Sequence, residues 1–301
     1  MSATTYSFRH VKLVIINTFR RLFVFQDVFS DQFFTFVQNS QNMKITFLGT
    51  GTSQGVPVIA CPCPVCTSTD DRDRRLRTSV MVEMGLEPGE GEHRVFVIDA
   101  GPDFRQQMLR EGVKRLDALI LTHEHKDHIA GIDDVRAFNY ISGEAVDIYA
   151  NERVQQALKR EFMYIFSGID YPGIPRVNLI TIDNSPFAIA GHQIQPIEVM
   201  HYKLPVLGFR FGDFTYITDA NFIEPAELQK LEGTRILVLN ALRREPHISH
   251  FTLQEALNLI KQIQPEKAYL THISHQLGKH QEVQSELPEN VFCAYDGLVI
   301  G

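Results

Sequence analysis

The chain is poor in cysteine: four in 301 residues, too few to build a fold from disulfides. It has no apolar run of about 18 residues, so there is no convincing transmembrane helix. It lacks a basic excess as well. Lysine and arginine total 29 against 36 acids, a net charge of −7, and a dedicated nucleic-acid surface is not favoured. No clean export signal is found, because Val11–Ile16 and Leu22–Phe25 are split by Arg20-Arg21 and no cleavage pattern follows. The stretch Gly49-Thr50-Gly51-Thr52-Ser53-Gln54-Gly55 is followed neither by Gly-Lys-Ser/Thr nor by a Gly-x-Gly-x-x-Gly helix start. As a nucleotide motif it is weak; its glycines suit a tight backbone path near a site. What remains is a cytoplasmic globular chain, 44% hydrophobic, of one large domain or two small ones.

The feature that is present is Leu121-Thr122-His123-Glu124-His125-Lys126-Asp127-His128, straight after the apolar run Ala118–Leu121. That run reads as a buried strand. Alternate residues of extended chain face one side, so His123 and His125 can point together, while Asp127 and His128 approach from where the chain leaves the sheet. Imidazole and carboxylate suit zinc, manganese or iron. The plain alternative is a polar loop with scattered histidines.

Residues 1–42 differ from the rest. They hold eight of the 21 phenylalanines and no acid before Asp27. An amphipathic segment or a targeting peptide would account for them, but Met43 is followed at once by a credible first strand, so 1–42 is expected to be a poorly ordered or non-native extension of a domain spanning 43–301. After strand 45–48 comes Cys61-Pro62-Cys63-Pro64-Val65-Cys66, whose three thiols can bind one zinc ion that needs a fourth, distant ligand. Cys293 lies in an apolar run and reads as core. Strands are expected at 78–84, 94–99, 118–121, 146–149, 177–182, 194–199, 207–211, 214–218, 236–239, 268–271, 291–295 and 298–300. Helices are expected at 102–112, 132–141, 151–166 and after the capping box at Thr252. His201, Asp219 and His272 each follow an apolar strand; His250 lies on the loop entering the last helix.

The order Thr-His-x-His-x-Asp-His, then a lone His, a lone Asp and a final His, resembles the metallo-β-lactamase-fold hydrolases over essentially all of 43–301. The resemblance implies an α/β fold, an αββα sandwich of two mixed sheets with helices on the outer faces. It implies one metal on His123, His125 and His201, a second on Asp127, His128 and His272, and Asp219 bridging them. The opening Phe47–Pro57, the cysteine group and Leu270-Thr271-His272-Ile273-Ser274-His275 look like PhnP-type cyclic phosphodiesterases. That likeness makes His275 the fourth ligand of a structural zinc with Cys61, Cys63 and Cys66, and makes His250 catalytic together with Asp127.

The implied cofactors are two divalent metals, Mn²⁺ or Zn²⁺, and one structural Zn²⁺. The implied reaction is cleavage of a small phosphodiester, a cyclic ribosyl or nucleotide phosphate. Two ions about 3.5–4 Å apart would hold the attacking hydroxide, with His250 as general acid. A homodimer is a family-level expectation. Rivals are an RNA 3′-processing nuclease, for which no Lys/Arg-rich arm is visible, a thioester hydrolase, which the cysteine loop does not favour, and a non-catalytic metal-binding protein.

Overall fold

The computed structural model describes residues 43–85, 92–169 and 171–301, together with the backbone of 4–8 and 11–15. The chain divides into two units, 1–37 and 38–301. In the first, strands β1 (Thr4–Phe8) and β2 (Val11–Ile15) pair antiparallel. The expectation of a poorly ordered or non-native extension over 1–42 concerns residues that, these two strands aside, lie outside the described residues.

In the second unit the strands are β3 (Met43–Gly49), β4 (Ser79–Met84), β5 (Arg94–Ile98), β6 (Ala118–Ile120), β7 (Val146–Ala150), β8 (Val177–Thr181), β9 (Phe187–Ile189), β10 (His192–His201), β11 (Leu204–Phe211), β12 (Phe214–Ile217), β13 (Ile236–Asn240), β14 (Lys267–Thr271), β15 (Val291–Cys293) and β16 (Val299–Ile300). They form two seven-stranded sheets, in the orders β16-β3-β4-β5-β6-β7-β8 and β15-β14-β13-β12-β11-β10-β9. Each sheet is mixed. Pairing is antiparallel from β16 to β5 and from β9 to β12, and parallel from β5 to β8 and from β12 to β15.

Side-chain alternation explains why the sheets stack. On β3, β4 and β5, Ile45, Phe47, Val80, Val82, Phe96 and Ile98 enter a central core; Val238 on β13 and Tyr269 on β14 meet them there from the other sheet. Phe47 and Tyr269 touch with ring centroids 5.7 Å apart. The intervening residues face outward. Met81, Val95 and Val97 pack under helices α1 (Phe104–Arg110), α3 (Arg136–Ser142) and α4 (Glu152–Glu161) through Phe104, Phe138 and Val154. On the other side Leu237, Leu239 and Leu270 pack under α6 (Leu253–Ile263) and α7 (His280–Glu286) through Leu253, Ile260 and Val283. The result is the expected αββα sandwich. Two short helices, α2 (Lys126–Ile129) and α5 (Pro225–Leu228), lie between strands.

Most expected elements are found. Thr252 does cap α6 in a capping box with Glu255. The helix expected over 151–166 ends at Glu161 instead. Phe162, Ile165 and Phe166 still reach the outer core, but through turns, because i→i+3 bonds replace the helical pattern there. The expected helix at 132–141 opens as a 3₁₀ turn over Ile132–Val135. Strand β9 and helices α2, α5 and α7 were not foreseen. β9 is three residues long, and the buried residues of α7 are only His280 and Val283, so neither carries a readable period.

Phe47→Ala should destabilise the domain by about 3–5 kcal/mol, because the cavity opens between the two sheets where neither can collapse onto the other. Urea denaturation measures it; a loss below about 1 kcal/mol would mean that Phe47 does not bridge the sheets.

Candidate dimetal active site

The chain leaves β6 at Ile120 and bends through residues 121–125 before α2 begins at Lys126. His123 is fully buried and His125 exposed, yet Nε2 of His123 lies 3.0 Å from Nδ1 of His125. The bend therefore does what a continued strand was expected to do. It is latched to the end of β5: Ala100 N–H donates to His128 O and Gly131 N–H to Ala100 O, both at 2.8 Å. Only glycine fits at this latch, since a Cβ on Gly101 would stand 2.0 Å from the Asp127 carbonyl oxygen.

The later residues arrive from three strand ends. His201 closes β10, Asp219 follows β12 and His272 follows β14. His123, His125 and His201 form one group of donor atoms, and Asp127, His128, Asp219 and His272 a second, each with its donor atoms within 4.8 Å of one another. His128 Nε2 lies 3.2 Å from Asp127 Oδ2 and 3.3 Å from Asp219 Oδ2, and His272 Nε2 lies 3.2 Å from Asp219 Oδ1. His250 joins His201 and Asp219 in a third group. Its ring stacks on His272 at 4.7 Å, and its Nδ1 is 3.9 Å from Asp219 Oδ1.

Several imidazoles have one nitrogen committed to a backing group, which leaves the other as a lone-pair donor. His201 Nδ1–H donates to the Ser249 carbonyl at 2.8 Å, and His128 Nδ1–H to Asp99 Oδ2 at 2.7 Å. Thr122 gives its hydroxyl hydrogen to Asp99, so its Oγ1 accepts from His123 Nδ1–H at 2.9 Å. Nε2 of His128 and both ring nitrogens of His272 are buried without a hydrogen bond. An unpartnered buried polar atom is costly, and a cation removes the cost. The residues thus fit two divalent cations, the first set through nitrogen alone and the second through nitrogen and carboxylate.

Charge bears this out for the first set. Burial, then His128, lowers the pKa of His123; burial, then His201, lowers that of His125. Both stay neutral, the state in which imidazole ligates a metal. At His128 burial is outweighed by Asp127 and Asp219, which hold its pKa well above the ordinary value, so its Nε2 carries a proton that a bound cation would displace. For Asp219, burial is opposed by His272 and His128, and the carboxyl sits well below its usual range. Burial, with His272 next, pushes His250 down to about 2.

At the other end of the 272–275 loop, His275 Nδ1 lies 3.4, 3.3 and 3.5 Å from the sulfurs of Cys61, Cys63 and Cys66. A tetrahedral zinc with ordinary Zn–S and Zn–N lengths separates sulfur from nitrogen by about 3.5 Å. The donor set fits that ion. The Cys66 N–H and then His275 bring the Cys63 thiol down to about 6, whereas burial pushes Cys66 up to about 11. Cys293 is buried in the core under α6 and α7, as expected.

Sequence reasoning missed Asp99, Thr122 and Ser249, which orient the histidines. Asp99 had a usable signal: it ends the apolar strand Phe96-Val97-Ile98, the same reason Asp219 was noticed. Asp99, Asp219 and His272 all have positive φ, 65°, 56° and 54°, a conformation that side-chain-bearing residues adopt under constraint. No helix among the described residues is long and apolar enough to cross a membrane.

A family model described as "Beta-lactamase superfamily domain" matches residues 94–273. A protein of Porphyromonas gingivalis called octanoyltransferase is 39% identical over 258 residues, 85% of this chain. This chain spans 51% of that relative's length, about half. A crystal structure described as a new diphosphatase from the PhnP family is 40% identical, with a TM-score of 0.79 over 86% of this chain and 97% of that one. Zn²⁺-bound PqqB from Methylobacterium extorquens shares the fold at 18% identity, with a TM-score of 0.68 over 86% of this chain and 99% of that one. Two mixed sheets, a match over more than half the chain and 40% identity along nearly the whole of a PhnP-family structure lead to one conclusion: the chain belongs to the beta-lactamase superfamily and, within it, to the PhnP family of metal-dependent hydrolases.

Proposed function

We propose that this chain hydrolyses a phosphorus–oxygen bond in a small phosphodiester, using two divalent cations. His123, His125 and His201 hold one cation, Asp127, His128 and His272 the other, and Asp219 lies between them. Cys61, Cys63, Cys66 and His275 hold a structural zinc, a closed set with no open position. The observation that supports the reading is that Asp219, a member of the second donor group, also groups with His201 of the first, with His250 against the same carboxylate. Such a pair of cations, when bound, polarises phosphoryl oxygens and lowers the pKa of water. A second reading, cleavage of a diphosphate, is favoured by the description of the PhnP-family relative.

The residues have distinct tasks. Asp219 and Asp127, both kept ionised, balance the cationic charge. Asp99 and the Ser249 carbonyl hold the His128 and His201 rings in one tautomer. His250 is neutral as it stands. An anionic substrate beside it raises its pKa and lets it carry a proton to the leaving oxygen.

Mass-spectrometric metal analysis should find three metals per chain. Asp219→Ala should lose two and Cys63→Ser one; a single metal in fully loaded wild type sinks the assignment. Asp99→Asn should weaken metal binding about 10–100-fold in chelator competition, because His128 loses its orienting carboxylate. His250→Ala should lower turnover about 10²–10⁴-fold at full metal content, and unchanged turnover removes its role. The substrate panel is a cyclic ribose phosphate, 2′,3′-cyclic nucleotides, a dye phosphodiester, a nucleoside diphosphate, octanoyl and lactoyl thioesters, and pre-tRNA. Activity confined to the thioesters or to pre-tRNA overturns the reading.

A further inference from the structure

β10 and β11 are joined by two residues, since His201 pairs with Leu204. The turn is therefore Tyr202-Lys203, immediately after a residue of the first donor group. Tyr202 has φ +59°, a conformation in which glycine is the undemanding choice. A bulky residue held there is strained, and such residues gather at ligand clamps. The turn is pinned rather than loose. Tyr202 N–H donates to Asn221 Oδ1 at 2.6 Å, and Asn221 N–H donates to Met200 O at 2.8 Å, so the segment after Asp219 holds the turn from behind.

A cavity of about 440 Å³ opens beside it, lined by His125, His201, Tyr202, Lys203, Leu204 and Ile248 among others. That volume suits a small organic ligand, for which pockets run about 300–1,000 Å³. The cavity shares His125 and His201 with the first donor group, so it is continuous with the place where phosphorus would react. Tyr202 is 49% exposed and Ile248 65% exposed, an apolar rim with no function in the hydrolysis itself. Lys203 Nζ lies 5.3 Å from the Tyr202 ring centroid and makes no ion pair with any described residue. Glu124, the carboxylate on the same cavity, is taken by Arg153 at 3.1 Å.

We infer that the Tyr202-Lys203 turn selects the substrate, and that the substrate is a nucleoside diphosphate. This rests on the proposed phosphorus–oxygen hydrolysis and deepens its second reading. The terminal phosphoryl group lies at the histidines and carboxylates, Lys203 pairs with the inner phosphate, and the flat base lies on the Tyr202 ring between Leu204 and Ile248. A Lys203 ammonium without an ion pair among the described residues, set over a half-exposed aromatic ring, matches an anion followed by a ring. A cyclic monophosphate has no second anion for Lys203. In the reaction, water oxygen bonds to the terminal phosphorus and the bridging P–O bond breaks. Its electron pair stays on the bridging oxygen, the two water hydrogens pass to the products, and these are orthophosphate and a nucleoside monophosphate.

The test uses metal-loaded protein, with ADP and bis(p-nitrophenyl) phosphate as substrates and the methylene-bridged ADP analogue as a calorimetric ligand. Lys203→Ala should weaken analogue binding and raise KM for ADP about tenfold, with kcat within about twofold, so that selectivity for ADP over the dye falls about tenfold. Tyr202→Gly, which keeps the left-handed turn, should weaken the analogue about fivefold. Lys261→Ala, exposed on α6, should change neither. Equal losses on both substrates, or analogue binding unaltered by Lys203→Ala, overturn the inference. Dye hydrolysis by wild type with no binding of the analogue also overturns it and leaves the proposed function standing. Absence of turnover on every phosphorus substrate defeats the proposed function instead, and the analogue titration then decides the turn alone.

Discussion

The carboxylate of Asp219, 1% exposed and set between His128 and His272, is the constraint on which the rest depends. A buried charge among imidazoles is tolerable only if each partner is held in one orientation and one tautomer. Every backing contact serves that end. Asp99 accepts from His128 and Thr122, Thr122 accepts from His123, and Ser249 accepts from His201. Loss of one backing atom frees a ring nitrogen that the burial then penalises. The site is thus a polar network whose members sit on five different strand ends, and its precision is inherited from the sheets.

The sandwich supplies that precision through register. β5 and β6 run parallel, as do β12, β13 and β14, so successive strands end on the same edge. Side chains at that edge come from residues just past the last ladder bond, where φ can turn positive without breaking a pair. Asp99, Asp219 and His272 do so. The glycine-rich loop after β3 is stitched to this edge. Ile273 N–H donates to Thr50 O at 2.8 Å and Thr52 N–H to Ile273 O at 3.1 Å. A Cβ on Gly49 would meet the Arg77 carbonyl at 1.9 Å, so that close passage requires glycine. Three residues past His272, His275 lies among the three cysteines. The cysteine loop and the active-site edge therefore share one short segment, and a clip on His275 limits how far His272 can stray.

Much of this was readable residue by residue. The apolar content of 45–48 and 78–84 identified strands, while the layers on both sides came only from the family likeness. The crowding of His123, His125, Asp127 and His128 pointed to a metal without any fold. The late residues were harder. His201, Asp219 and His250 carry no local signal beyond a place after a strand or before a helix, and only their order with the early cluster linked them. Asp99 went unnoticed because a single carboxylate after a strand is ordinary. Phe162–Phe166 misled, because apolar spacing of three and four suits both a helix and a chain of turns packed on the same core.

The sequence by itself determined the main strands, the helix capped at Thr252, the metal-type donors and the family likeness, because these are properties of local order and spacing. Tertiary structure alone decided which ring nitrogens of His123, His128 and His201 are backed, how Asp219 comes to lie beside His128, His272 and His250, and that Tyr202 and Lys203 border the same space as His125. Those relations join residues as much as 149 positions apart, His123 to His272. They depend on where parallel strands stop at a common edge, which no stretch of chain carries within itself.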